Sequence, residues 1–125
     1  MHFLRIWILD DDEDFLLLID KWLKKNYECE VTSFNTVESF DQELYRVNLV
    51  PDLILMDIRL KDANGLKVAN EVHSLFQNVP IIHLTNLDGE PIIEEKYTIL
   101  GKPINDKLLK SSISRLIKES YQKAL

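Results

Sequence analysis

The chain has 125 residues, and 15 Lys and Arg against 21 Asp and Glu leave a formal charge of −6 at neutral pH. With 46% apolar and 29% charged residues, this length fits one globular domain over 1–125 with a sizeable core, and excludes a disordered or low-complexity segment. The acidic balance argues against unaided binding to nucleic acid or an anionic membrane, since both need a basic footprint.

Residues 3–9 are β-branched and aromatic without clean alternation, the pattern of a strand covered on both faces. The acids beginning at Asp10 stop this apolar run well short of a signal peptide or membrane span. Phe15, Leu18, Ile19 and Trp22 recur at helical spacing and predict an amphipathic helix over 14–26. A lone Cys29 cannot close an intrachain disulfide, and three scattered histidines give no structural zinc cluster, which fits a reducing, cytoplasmic setting. A second strand is expected over 30–34. Asn35 with Glu38 then offers a capping-box-like start to a helix that turns Val37, Phe40, Leu44 and Val47 inward.

Pro51 ends that helix, and residues 52–57 read as a third strand with an acid at each end. Gly65 opens a helix with Leu66, Ala69, Val72, Leu75 and Phe76 on one stripe, and residues 80–85 form a fourth strand. Asp88, Gly89, Glu90 and Pro91 can start a fourth helix, which has room for only a turn or two before the fifth strand at 97–100. A last helix, capped by Asn105, carries Leu109, Ile113, Leu116 and Ile117 inward. Strands alternating with helices predict an α/β domain: a doubly wound, five-stranded parallel sheet with helices on both faces. Charge is uneven, with seven Lys and Arg against two Asp and Glu in residues 96–125; a solvated basic face explains this.

In such a sheet the ligand site lies beyond the carboxyl ends of the strands, where strand order reverses. Those ends present Asp10 and Asp11, Asp57, Thr85 and Lys102. Three carboxylates at one edge repel one another unless a cation neutralises them, and an all-oxygen set suits Mg²⁺, with Mn²⁺ as a substitute. A metal beside a hydroxyl and an ammonium suits a phosphoryl group, and Asp57, alone at a central strand end, is the candidate nucleophile. By contrast, Asp12, Glu13 and Asp14 read as acids favoured at a helix N-terminus. Trp7, Trp22 and Phe40 read as core, and His73 and His83 as packing or surface residues.

These signatures, together with Asn64-Gly65 and Lys102-Pro103, make the chain resemble, from end to end, the receiver domain of two-component response regulators. The resemblance implies the flavodoxin-like strand order 2-1-3-4-5. It also implies that Asp57 accepts a phosphoryl group from a histidine kinase or histidine phosphotransfer protein, and that Thr85 contacts that group while Lys102 pairs with it. Asp10, Asp11, Asp57 and the backbone carbonyl of Arg59 would hold Mg²⁺, and the Lys102 to Pro103 peptide bond would be cis. Such a protein is a switch that catalyses its own phosphorylation and dephosphorylation rather than a turnover enzyme. Its output is a downstream protein or an output domain absent from this chain, with homodimerisation through the fourth and fifth helices and fifth strand.

The departures are specific. The segment between Thr85 and Lys102 is short at the expense of the fourth helix, and Ile99 stands where the family commonly has a switching aromatic, with Tyr97 nearby as a substitute. Lys61 replaces a common Pro and Asn86 a small residue. Arg59 and Leu87 occupy the two positions that influence phosphate loss in the family, and Leu87 cannot orient an attacking water, so a long-lived phosphoryl group is expected. The short segment and Ile99 keep a second reading open, a degenerate receiver acting as a phosphorylation-independent interaction module. A third, a Mg²⁺-dependent aspartyl phosphatase, rests on the Asp-x-Asp spacing of Asp10 and Asp12. Glu13, Asp14 and the lack of a late acidic pair oppose it.

Overall fold

Dense apolar runs form the three central strands, β1 (Leu4–Leu9), β3 (Leu53–Met56) and β4 (Ile81–Thr85), while the more polar β2 (Cys29–Phe34) and the half-buried β5 (Thr98–Gly101) lie at the edges. In the computed structural model, which describes residues 3–87 and 96–124, the five strands make one parallel sheet in the order β2-β1-β3-β4-β5, as the resemblance implies. The helices are α1 (Glu13–Asn26), α2 (Val37–Arg46), α3 (Gly65–Leu75) and α4 (Asp106–Ala124). The short fourth helix expected from Asp88 to Pro91 lies outside the described residues.

Two apolar layers sandwich the sheet. Ile6, Ile8, Leu53 and Leu55 pack with Leu16, Ile19 and Leu23 of α1 and with Leu109 and Ile113 of α4. On the other side Trp7, Leu9, Ile54 and Met56 meet Phe40 and Leu44 of α2 and Val68, Ala69 and Val72 of α3. Trp7, Phe34 and Phe40 contact one another edge to face, so Trp7 and Phe40 are core, as expected. Each buried side chain of this size contributes about 1.5–3 kcal/mol, which is what holds the polar strand ends in register. Leu9 pairs with both Phe34 and Met56, and Thr85 pairs with Gly101, so the strands end at one edge.

Three local expectations are corrected. In α1 the buried stripe is Leu16, Ile19 and Leu23, while Leu18 is 55% exposed and Phe15 and Trp22 sit half-buried at its margins. In α3 the stripe is Gly65, Val68, Ala69 and Val72; Leu75 is 43% exposed. The cap of α2 is Thr36, whose hydroxyl accepts from the Ser39 N–H at 3.1 Å. Asn35 is used elsewhere, donating to the Glu13 carboxylate on α1 at 2.9 Å. The cap of α4 is as expected: Asn105 accepts from the Leu108 N–H at 3.0 Å.

Candidate functional site

The ladder of the sheet continues one residue beyond two strands and fixes two acids. The Asp10 N–H donates to the Phe34 carbonyl at 3.1 Å, and the Asp57 N–H to the Leu9 carbonyl at 3.0 Å. Both side chains are buried, Asp10 at 3% exposure and Asp57 at 7%. Asp11 is exposed, and its carboxylate accepts from the Lys61 N–H at 2.7 Å, tying the loop after β3 to the end of β1. Carboxylate oxygens of Asp10, Asp11 and Asp57 all lie within 4.8 Å of one another. Asp12 plays the structural part expected of it, capping α1 by accepting from the Asp14 and Phe15 N–H groups.

The loop after β3 is held closely. The Arg59 N–H donates to Asp57 Oδ1 at 3.2 Å, Arg59 and Asn64 form an antiparallel bridge, and the Gly65 N–H donates to the Ile58 carbonyl at 2.7 Å. A Cβ on Gly65 would lie 2.0 Å from the Asp57 carbonyl oxygen, so only glycine lets α3 start this close to the acid.

Lys102 completes the cluster. Its N–H donates to the Thr85 carbonyl at 2.9 Å, and its Nζ donates to Asp10 Oδ2 at 2.6 Å and Asp57 Oδ2 at 3.2 Å. Burial pushes the Asp10 carboxyl above its ordinary range, opposed by Lys102 and by the Asp12 N–H, with a smaller upward push from Asp57. Burial alone would lower the Lys102 ammonium, but Asp10 and Asp57 outweigh it and raise it. The ammonium thus already supplies part of the neutralising charge these acids require. Thr85 is fully buried at the end of β4, and its hydroxyl has no hydrogen-bond partner among the described residues. A buried hydroxyl without a partner is costly.

The remaining candidates surround this centre. The Lys102 to Pro103 bond is cis. Leu87 lies over Gly101, where a Cβ would be 3.2 Å from its Cδ1. Ile99 pairs with His83 and is half-buried. Tyr97 precedes β5, its hydroxyl donating to Asn70 of α3 at 3.1 Å and its ring meeting the His83 imidazole edge to face. Burial lowers the His83 pKa to about 4, which makes it a neutral packing residue.

Two contacts were not expected from the sequence. The Arg59 guanidinium donates to the Asn86 carbonyl at 3.1 Å, joining the exits of β3 and β4. The Phe15 ring faces the Lys102 ammonium, its centroid 4.1 Å from Nζ. The one available signal for the second was the spacing of Phe15 from the acids, about one helical turn beyond Asp11.

Residues 6–120 match the sequence profile of the response regulator receiver domain. The chain belongs to that family. Receiver domains are the phosphoacceptor switches of two-component signalling, and this receiver is similar to curated regulators at low identity. It is 25% identical over 123 residues to the response regulator protein VraR of Staphylococcus epidermidis, covering 95% of this chain and 57% of that protein. VraR of Staphylococcus saprophyticus is 24% identical over 121 residues, covering 96% of this chain and 56% of that one. The receiver therefore spans little more than half the length of these relatives. A CheY-like receiver domain protein from Methanospirillum hungatei superposes with a TM-score of 0.78 at 24% identity, covering 98% and 99% of the two chains. The receiver domain of a LuxO repressor protein from Vibrio parahaemolyticus gives 0.78 at 21%, covering 98% and 96%. At this identity the structures establish the shared fold. Among the described residues no helix is long and apolar enough to cross a membrane.

Proposed function

We propose that this receiver accepts a phosphoryl group onto Asp57 from a histidine kinase or a histidine phosphotransfer protein, and changes its affinity for a downstream partner as a result. The observation that carries the reading is the Lys102 ammonium shared between Asp10 and Asp57 in a cluster with Asp11. An Asp57 oxygen attacks phosphorus, the O–P bond forms as the donor's N–P bond breaks, and the departing imidazole keeps the bond's electron pair. The resulting acyl phosphate brings oxygens to Lys102, which stands 3.2 Å from that carboxylate, and offers the buried Thr85 hydroxyl an acceptor.

The donor set fits Mg²⁺, or Mn²⁺ in its place: Asp10, Asp11 and Asp57 supply carboxylate oxygens, and the Arg59 carbonyl belongs to the same held loop. Bound there, the ion would supply positive charge between the carboxylates and the incoming phosphoryl oxygens. We read residues 1–125 as one receiver unit in a cytoplasmic setting, with the Leu87 side chain prolonging the life of the phosphoryl group.

The test is intact mass after incubation with acetyl phosphate and Mg²⁺, with and without EDTA, on wild type and Asp57→Asn. One labile adduct that needs both the metal and Asp57 is expected. No adduct, followed by no response to beryllofluoride in tryptophan fluorescence, overturns the reading in favour of a phosphorylation-independent interaction module.

A further inference from the structure

Lys102 is gripped on more than one side. Its Nζ lies 2.6 Å from Asp10 Oδ2, 3.2 Å from Asp57 Oδ2 and 4.1 Å from the centroid of the Phe15 ring. Two of the three ammonium N–H groups are taken by carboxylates, and the electron-rich face of the ring borders the same charge. The ring has little freedom to be elsewhere. Phe15 stands in the first turn of α1, its N–H held by the Asp12 cap at 3.2 Å, and its side chain packs against the apolar layer beneath α1 and α4. A lysine stem is flexible and its ammonium strongly hydrated, so without a fixed neighbour the head group gains by swinging toward water. The side chain is nevertheless only 17% exposed.

We infer that Phe15 is a positioning residue for Lys102: its ring holds the ammonium at the Asp10 and Asp57 carboxylates, where a phosphoryl oxygen on Asp57 will arrive. The inference rests on Asp57 being the phosphoacceptor. It separates the attraction of the ring from its bulk, because a leucine at this position fills the same margin of the core and offers no negative face to a cation.

The experiment replaces Phe15 in the full chain by phenylalanines carrying increasing numbers of ring fluorines, which withdraw the negative face and leave the shape nearly unchanged. Phe15→Trp and Phe15→Leu accompany the series. The rate of Asp57 phosphorylation by acetyl phosphate with Mg²⁺ is expected to fall stepwise with fluorination, by about two- to thirtyfold in all, the range of a cation–π contact. Trp should keep the rate, and Leu should fall as far as the fully fluorinated ring. A flat series overturns the inference. In the unphosphorylated protein, the Lys102 ε-methylene protons should resonate upfield in wild type through the ring current and return to ordinary lysine positions in Phe15→Leu. Ordinary positions in wild type also overturn it. If wild type takes no phosphoryl group on Asp57, the proposed function has failed, and the methylene shifts alone decide whether Phe15 holds Lys102.

Discussion

Replacing Lys102 by Met keeps most of the apolar stem and removes the charge that Asp10 and Asp57 share. The side chains involved are 17%, 4% and 9% exposed, so the two carboxylates left behind face each other with little access to water. Removing one partner of a buried ion pair typically costs about 3–5 kcal/mol, chiefly the cost of an uncompensated buried charge. At a urea slope of about 2 kcal/mol/M, a loss of about 3 kcal/mol moves the unfolding midpoint down by about 1.5 M at neutral pH. The sign with pH is fixed by Asp10. Its carboxyl is already raised by burial and rises further without the ammonium, so the folded variant holds protons that the unfolded chain releases. The deficit is therefore largest above that raised pKa and shrinks as the pH falls through it. Magnesium ions should recover much of it: a cation that binds only the folded state stabilises by about 2.7 kcal/mol at a concentration 100 times its Kd. Urea melts of wild type and Lys102→Met at neutral and acid pH, each with and without Mg²⁺, check this. A variant as stable as wild type at neutral pH without metal, or a deficit that Mg²⁺ leaves untouched, refutes the claim that the ammonium compensates the acids.

His83, whose folded pKa is lowered to about 4 from 6.5 by burial, binds its proton later than the unfolded chain does, so its contribution to stability is lost as the pH falls from 6.5 toward 4, about 3 kcal/mol in total. The difference in unfolding free energy between wild type and His83→Leu should vary with pH across that window by this amount. Gly65→Ala should cost more than about 2 kcal/mol in a denaturation experiment and abolish acetyl phosphate labelling, because its Cβ would meet the Asp57 carbonyl oxygen at 2.0 Å. Thr85→Val removes a buried hydroxyl that has no partner among the described residues, so the unphosphorylated protein should unfold no earlier than wild type and gain up to about 1–2 kcal/mol. The same variant should still be phosphorylated and respond less in a partner-binding titration.

What the sequence made legible was the part set by contrast. Apolar strands end abruptly in Asp10, Asp57, Thr85 and Lys102, and the parallel register brings those ends to one edge. Phase within the helices was harder to read. Phe15, Leu16, Leu17, Leu18 and Ile19 are consecutive apolar residues, so periodicity alone does not choose which of them faces the sheet, and packing buries Leu16 and Ile19 while leaving Leu17 and Leu18 in water. The cap of α2 was ambiguous for another reason: Asn35 and Thr36 both suit the position, and a contact to Glu13, far away in sequence, takes Asn35 out of contention. The contact of Phe15 with Lys102 joins residues far apart in the chain, and because Phe15 also suits the core, its spacing from the acids is too weak a local sign to single it out.

The unphosphorylated site is under-satisfied at two points: the Thr85 hydroxyl has no acceptor among the described residues, and burial of Asp10 is only partly offset by Lys102. An acyl phosphate on Asp57 would relieve the first with one hydrogen bond, of about 0.5–1.5 kcal/mol, and give Lys102 a charge-assisted one of about 1.5–3 kcal/mol. The second gain is not all new, because Lys102 already donates to both carboxylates. Full reversal of a two-state population, from 1:99 to 99:1, needs about 5.5 kcal/mol of differential interaction. Contacts at Thr85 and Lys102 alone fall short of that figure. On the proposed reading, phosphorylation of Asp57 by itself would tilt the equilibrium without completing it, and the differential affinity of the partner for the active arrangement would have to supply the remainder.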